Sequence, residues 1–249
     1  MTLLDLDDVH SYYGASHILR GVSMTVEKGE VVGLLGRNGA GKTTTLRSIV
    51  GAQPPEVRDG TITFKGEDIT NNDPEDIVMG GMAIVPEERR VFSDFSVEEN
   101  LQMADIALER WNLAMRDISV GSDTGMSTQE IYDLFPRLDE RQNQKAGTLS
   151  GGEQQMLSIA RTLKLPGVDL LLMDEPTEGL APQIVQNVLD AIEKIADQDK
   201  TILLVEQNSS AALQVAERCY ILDEGSMTYQ GSADELKADD EIRQRYLAV

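Results

Sequence analysis

The sequence predicts an α/β fold, with short buried strands alternating with helices and a helical segment inserted between them. Three observations predict it. The runs "EVVGLLG", "DLLLMDE", "TILLVEQN" and "CYILDEG" are short, apolar and rich in β-type residues, the pattern of strands covered on both faces. Helical stretches separate these runs, as in layered α/β cores. From Ser96 to about Thr148 the pattern turns polar and helical, with no strand-like run.

Each element follows in order. "LLDLDDVHSYYG" reads as a strand, then a turn, then the strand "GVSMTV", then "EVVGLLG". A helix starts inside "GAGKTTTLRSIVG" and stops at Gly51. "GTITFKGEDI" is a further strand, followed by the strand-like "GMAIVPEE". "SVEENLQMADIALERW" opens on a capping box of Ser96 and Glu99. Strand and helix alternation resumes with "DLLLMDE" and runs to "CYILDEG". Residues 1–249 thus read as one domain, with an α/β core over 1–90 and 160–249 and a helical subdomain over about 91–159.

Composition narrows the partners. The chain has 249 residues, with 22 basic against 43 acidic and a net charge of −21. Nucleic acid is excluded as a partner, because affinity for it comes largely from neutralising phosphates with Lys and Arg. The acids are spread along the chain, and the Debye length of about 3 Å at 1 M salt would screen their self-repulsion. A salt-rich cytosol fits this surface; an ordinary acidic protein is the competing reading. The single cysteine, Cys219, lies in an apolar strand and reads as a small buried hydrophobe. The N-terminus lacks a signal-peptide pattern and no segment is an uninterrupted apolar span of membrane length, so a soluble, cytoplasmic chain is expected.

The chemistry begins at "GRNGAGKT", Gly36 to Thr43, which matches G-x-x-x-x-G-K-[ST] and lies between a strand and a helix. Gly36, Gly39 and Gly41 let the backbone curl so that N–H groups point at phosphate oxygens, and the helix start adds favourable partial charge. Lys42 is expected to reach the β- and γ-phosphates, and the Thr43 hydroxyl to bind Mg²⁺. Asp174 and Glu175 end a buried strand, where adjacent carboxylates are costly without cations or water. Asp174 is the natural Mg²⁺ partner and Glu175 the general base for the attacking water. "TLSGGEQQMLSIARTL" places Ser150, Gly151 and Gly152 at a second helix start suited to phosphate.

The ordered set "GRNGAGKT", "LSGGEQ", "LLLMDE" closely resembles the ATP-binding cassette (ABC) ATPases across nearly the whole chain. The resemblance implies a P-loop NTPase core of cassette type with an N-terminal antiparallel β region, binding ATP and Mg²⁺. It implies nucleotide contacts along the whole loop, including Arg37, Asn38, Ala40 and Thr44, and from Ser150 to Glu153 of a second cassette paired head to tail. By the same resemblance Tyr13 stacks on adenine, with Tyr12 as the competing ring, and "EGLAP" crosses the interface between cassettes.

Further segments, "AIVPEERRVFSDFSVEENL", "DEPTEGLAP" and "LLVEQN" among them, look like the LivF-type ATPases of branched-chain amino acid importers. That likeness implies two membrane permeases, a second cassette of the same or another chain, an extracellular binding protein acting indirectly, and a place on the inner face of the membrane. Two positions depart from the common cassette pattern. Glu87 stands where most cassettes have glutamine and is expected to contact Mg²⁺ or water; Gln207 stands in place of a switch histidine and is expected to face the γ-phosphate or attacking water. Glu206 and Asn208 beside it are expected only to shape the turn. His10 and His17 read as surface residues, and Arg89 and Arg90 as pairing with local acids or reaching a partner. The competing functions are a non-transport ABC ATPase and a catalytically silent ATP-binding module; intact Lys42, Asp174 and Glu175 argue against the second.

Overall fold

The computed structural model describes residues 1–114 and 125–247. Residues 115–124 of the predicted helical insertion, and 248–249 at the chain end, lie outside them.

A long hairpin starts the chain: β1 (Thr2–Tyr13) and β2 (Ser16–Glu27) pair antiparallel, so the second strand begins earlier than "GVSMTV". Then come β3 (Val31–Leu35), α1 (Lys42–Ile49), β4 (Glu56–Phe64), β5 (Glu67–Asp68), α2 (Pro74–Met79) and β6 (Met82–Val85). Sequence reading passes over α2, a short helix with Pro74 in its first turn. α1 ends just before Gly51, which takes a positive φ of 66°.

The helical stretch contains α3 (Val97–Ala114), α4 (Thr128–Leu134), α5 (Pro136–Asp139) and α6 (Gly151–Leu163). Ser96 and Glu99 form the predicted capping box, at 2.7 and 3.1 Å. Buried Lys164 ties three of these helices, pairing with Asp105 at 2.9 Å and donating to the Thr128 hydroxyl at 2.7 Å. After them come β7 (Leu170–Asp174), α7 (Pro182–Ala196), β8 (Thr201–Glu206), α8 (Ser209–Val215), β9 (Arg218–Asp223), β10 (Ser226–Ser232), α9 (Ala233–Ala238) and α10 (Asp240–Ile242).

Two sheets result, in the orders β2-β1-β4-β5 and β10-β9-β3-β8-β7-β6. The first is antiparallel; in the second, β9, β3, β8, β7 and β6 run parallel and β10 antiparallel at one edge. The central strands alternate between two cores. Val31, Leu35, Leu171, Met173, Ile202 and Leu204 face the helices α6, α7 and α8. Val32, Leu34, Leu170, Leu172, Leu203 and Val205 face the antiparallel sheet and α1. Strands with apolar residues at every position therefore find apolar partners on both faces, at roughly 1.5–3 kcal/mol for each fully buried side chain. Cys219 is fully buried in the helix-facing core, and burial pushes its thiol up to about 12.

The register brings four strand ends together. Leu35 lies opposite Glu206, Asp174 opposite Val205, and Val85 opposite Met173. The segments leaving β3, β8, β7 and β6 therefore emerge side by side at the carboxyl edge of a parallel sheet, where ligands collect in such folds.

Candidate nucleotide site

The loop from Gly36 to Gly41 leaves β3 and enters α1. Gly41 precedes the helix with φ 113°, and a side chain on Gly36 would meet the Leu222 carbonyl at 2.4 Å. Both positions demand glycine for reasons of space and conformation. Arg37, Asn38 and Gly39 are exposed on the loop, Ala40 is buried, and Thr43 is exposed while Thr44 is buried. Lys42 is 4 % exposed; its Nζ donates to the carbonyls of Gly36 at 2.9 Å and Arg37 at 3.2 Å and pairs with Glu175 at 3.1 Å. The ammonium that sequence reading sends to phosphates thus also holds the predicted base.

Asp174 and Glu175 are buried at the end of β7. The Asp174 Oδ1 has no hydrogen-bond partner among the described residues, and burial, then the charges of Glu175 and Glu87, push its carboxyl up to about 6 against the pull of Lys42. Thr43, Glu87 and Asp174 line one cleft of about 620 Å³ between α1, α3 and α6. A hydroxyl and two carboxylates, one with an unpaired buried oxygen, are the donor set a hard cation takes. No group of three or more His, Cys, Asp or Glu is placed to hold a metal among the described residues. An ion here would thus depend on Thr43 and on oxygens other than the protein's, a demand magnesium meets by keeping waters and phosphates.

Glu175 has a left-handed backbone, φ 45°, an uncommon conformation outside glycine. Beside it stands a residue that sequence reading missed. The Glu178 carboxyl hydrogen-bonds to Glu175; that bond first, then burial and neighbouring carboxylates, pushes Glu178 up to about 7. Its position three residues after Glu175, across a turn closed by Glu178 N–H to the Glu175 carbonyl at 3.0 Å, was the available signal. Gln207 is exposed and lines a second cleft, of about 700 Å³, together with Glu175, Glu178 and Glu206. Its neighbours do more than shape a turn. Asn208 caps α8, accepting the Ala211 N–H at 3.1 Å, and Glu206 is 1 % exposed and hydrogen-bonded to Thr177.

The Ser150 turn has its own local order. Ser150 caps α6 in a reciprocal box with Glu153, whose carboxylate also pairs with Arg141 at 2.8 Å. A side chain on Gly152 would come within 1.9 Å of Ile184 Cγ2, so this glycine lets α6 and α7 approach. The guanidinium of Arg89 lies over Gly151, 2.8 Å from where a side chain would begin, while Arg90 pairs with Glu88 at 3.3 Å. No hydrogen bond or ion pair joins Ser150, Gly151, Gly152 or Glu153 to the phosphate loop among the described residues.

At the other end, Tyr12 and Tyr13 differ. The Tyr12 ring stacks on His17 at 4.3 Å and lies under the Arg58 guanidinium at 4.8 Å; Tyr13, half-buried at the end of β1, has no ring contact among the described residues. His10 and His17 are half-buried and 3.1 Å apart through their ring nitrogens, rather than free on the surface.

Comparison with known proteins agrees with this architecture. The ABC transporter family matches residues 19–178. The chain is 40 % identical to the high-affinity branched-chain amino acid transport ATP-binding protein BraG of Pseudomonas aeruginosa, over 98 % of this chain and 99 % of that one. It is 34 % identical to the probable branched-chain amino acid transport ATP-binding protein LivF of Archaeoglobus fulgidus, over 95 % of each. It is also 30 % identical to the lipopolysaccharide export system ATP-binding protein LptB of Escherichia coli, over 99 % and 98 %. Among solved structures, a nucleotide-free ATP-binding cassette from an ABC transporter superimposes with a TM-score of 0.79 at 23 % identity, covering 100 % and 99 % of the two chains. The chain belongs to the ABC transporter family, as one of its ATP-hydrolysing, ATP-binding subunits.

Proposed function

We propose that this chain powers an importer of branched-chain amino acids, closing on a second cassette with ATP between them. One observation carries the reading. Thr43, Glu87 and Asp174 line one cleft next to the buried Lys42–Glu175 pair, whereas among the described residues Ser150, Gly151 and Gly152 have no hydrogen bond or ion pair to that region. Each chain then carries two half-sites, and two cassettes placed head to tail complete both.

Within the pair, the loop N–H groups from Gly36 to Gly41, with Arg37, Asn38 and Ala40 between, hold the phosphates, and Thr44 backs the loop from α1. Tyr13 rather than Tyr12 offers a ring to adenine, since Tyr12 is held between His17 and Arg58 and Tyr13 has no ring contact among the described residues. Lys42 turns from Glu175 to the phosphates, and the released carboxylate orients the attacking water as general base. Thr43, Asp174 and Glu87 are the residues that would hold Mg²⁺, which would supply positive charge to the phosphate oxygens. Gln207 holds a phosphate oxygen or water through its amide, a group that cannot take up a proton. Ser150, Gly151 and Gly152 of the partner cassette add donors where charge shifts during transfer, and Glu153 keeps that turn capped.

We assign 1–90 and 160–249 to the core and about 91–159 to a helical lobe that passes closure to two permease subunits. No helix among the described residues is long and apolar enough to cross a membrane; attachment at its inner face through those permeases is supported by the likeness to a transport ATP-binding protein. An extracellular binding protein would deliver the cargo. The cargo assignment rests on the likeness to BraG, stronger than that to LptB. The excess of 43 acidic over 22 basic residues supports a salt-rich cytosol.

The test is Glu175→Gln with Mg-ATP. Hydrolysis should slow by about 10²-fold or more, and size-exclusion chromatography should show a trapped pair. Normal turnover, or an ATP-loaded single chain, would refute the reading. Uptake of labelled leucine, isoleucine and valine in cells lacking the gene addresses the cargo: undiminished uptake would remove the amino acids and leave the ATPase.

A further inference from the structure

Glu206 ends β8 on the face that carries Ile202 and Leu204, and is 1 % exposed. Its Oε1 accepts the Thr177 N–H at 3.0 Å and the Thr177 hydroxyl at 2.8 Å; its Oε2 accepts the Asn208 N–H at 3.3 Å. No Lys, Arg or His pairs with it among the described residues. A buried carboxylate with no cation is costly, and an apolar side chain would fill the same space more cheaply. What an apolar residue cannot do is accept three donors from two turns, the one at Thr177 lying 29 residues before it in the chain.

Those two turns carry the chemistry. Thr177 stands two residues after Glu175 and one before Glu178; Asn208 follows Gln207 directly. Glu175, Glu178 and Gln207 face the same cleft of about 700 Å³. We infer that Glu206 is a positioning residue for hydrolysis: its carboxylate bolts the turn bearing the base to the turn bearing the Gln207 amide, and so sets their separation across the cleft. Glu206 acts through Thr177 and Asn208 and not on the reacting atoms. Glutamine is only a partial substitute, because its Oε1 can keep both Thr177 donors while its NH₂ group faces the Asn208 N–H, donor against donor. The inference rests on Glu175 acting as the base.

The test compares kcat for Mg-ATP hydrolysis with Mg-ATP affinity in the full chain, for Glu206→Ala, Glu206→Gln, Thr177→Val and Thr177→Ser, with Glu175→Gln alongside. Misplacing a reacting group by a fraction of an ångström to an ångström costs rate more than binding. Glu206→Ala should therefore lower kcat by about 10-fold or more, and Glu206→Gln by less, with affinity kept within about 2-fold. Thr177→Val should lower kcat in the same way and Thr177→Ser restore it, which decides the matter if Glu206→Ala fails to fold. Unchanged kcat in the Ala and Val variants overturns the inference, and so does a parallel fall of kcat and affinity, the mark of a merely structural role. Normal turnover of Glu175→Gln would overturn the base assignment instead, and is read independently.

Discussion

Glu206 also makes a thermodynamic prediction whose sign is set by its surroundings. Burial raises its carboxyl from an ordinary 4.5 to about 7, outweighing the hydrogen bonds from Thr177 and Asn208 that pull the other way. Between those two values the folded chain holds a proton that the unfolded chain has lost, so stability falls as pH rises. At 1.4 kcal/mol for each tenfold change in proton affinity, the loss is about 3 kcal/mol, most of it between pH 5 and 8. Glu206→Gln removes the titrating group and leaves the shape. Urea midpoints of wild type and variant at pH 5, 6, 7 and 8 should therefore diverge, the variant gaining about 3 kcal/mol on wild type toward pH 8. The other raised carboxyls, Asp174 and Glu178, are present in both chains and largely cancel in the difference. Parallel curves would refute the reasoning, and a gap opening in the opposite direction would mean that the three hydrogen bonds outweigh burial.

Three further outcomes are expected. Lys42→Ala should abolish tight Mg-ATP binding, read by calorimetric titration, because it removes the only ammonium seated in the loop among the described residues; unchanged affinity would remove the phosphate-loop assignment. Gly152→Ala forces a methyl to within 1.9 Å of Ile184 Cγ2 and should cost about 1–3 kcal/mol in urea unfolding. A second change, Ile184→Ala, should make the pair of substitutions less costly than their sum. Tyr13→Ala should weaken ATP binding by several-fold, roughly 1 kcal/mol of ring stacking, while Tyr12→Ala should change it less, since that ring already has His17 and Arg58 on it; equal losses would return Tyr12 to the site.

What was legible beforehand was local. The glycine-rich turn between β3 and α1, the Ser96–Glu99 box and the buried strands all depend on residues within about eight positions of one another or on unbroken apolar runs, and each of these elements is where the sequence puts it. The same locality explains the misses. Glu206 looked like an ordinary turn residue and Glu178 like no more than part of the loop "EGLAP", because their partners, Thr177 on another strand's exit and Glu175 across a bend, are chosen by chain path and register. His10 and His17 read as separate surface residues because nothing in the spacing shows that a hairpin stacks them.

Sequence by itself determined that this chain builds a glycine-rich loop between an apolar strand and a helix on an α/β core, since glycine spacing and an apolar run act over neighbouring residues. Only the tertiary structure decided which groups meet there. The pairing of Leu35 with Glu206, Asp174 with Val205 and Val85 with Met173 carries four strand ends to one edge. That register, a long-range agreement among hydrogen bonds and two packed cores, places Lys42 on Glu175 and Glu206 between the turns that carry Thr177 and Asn208.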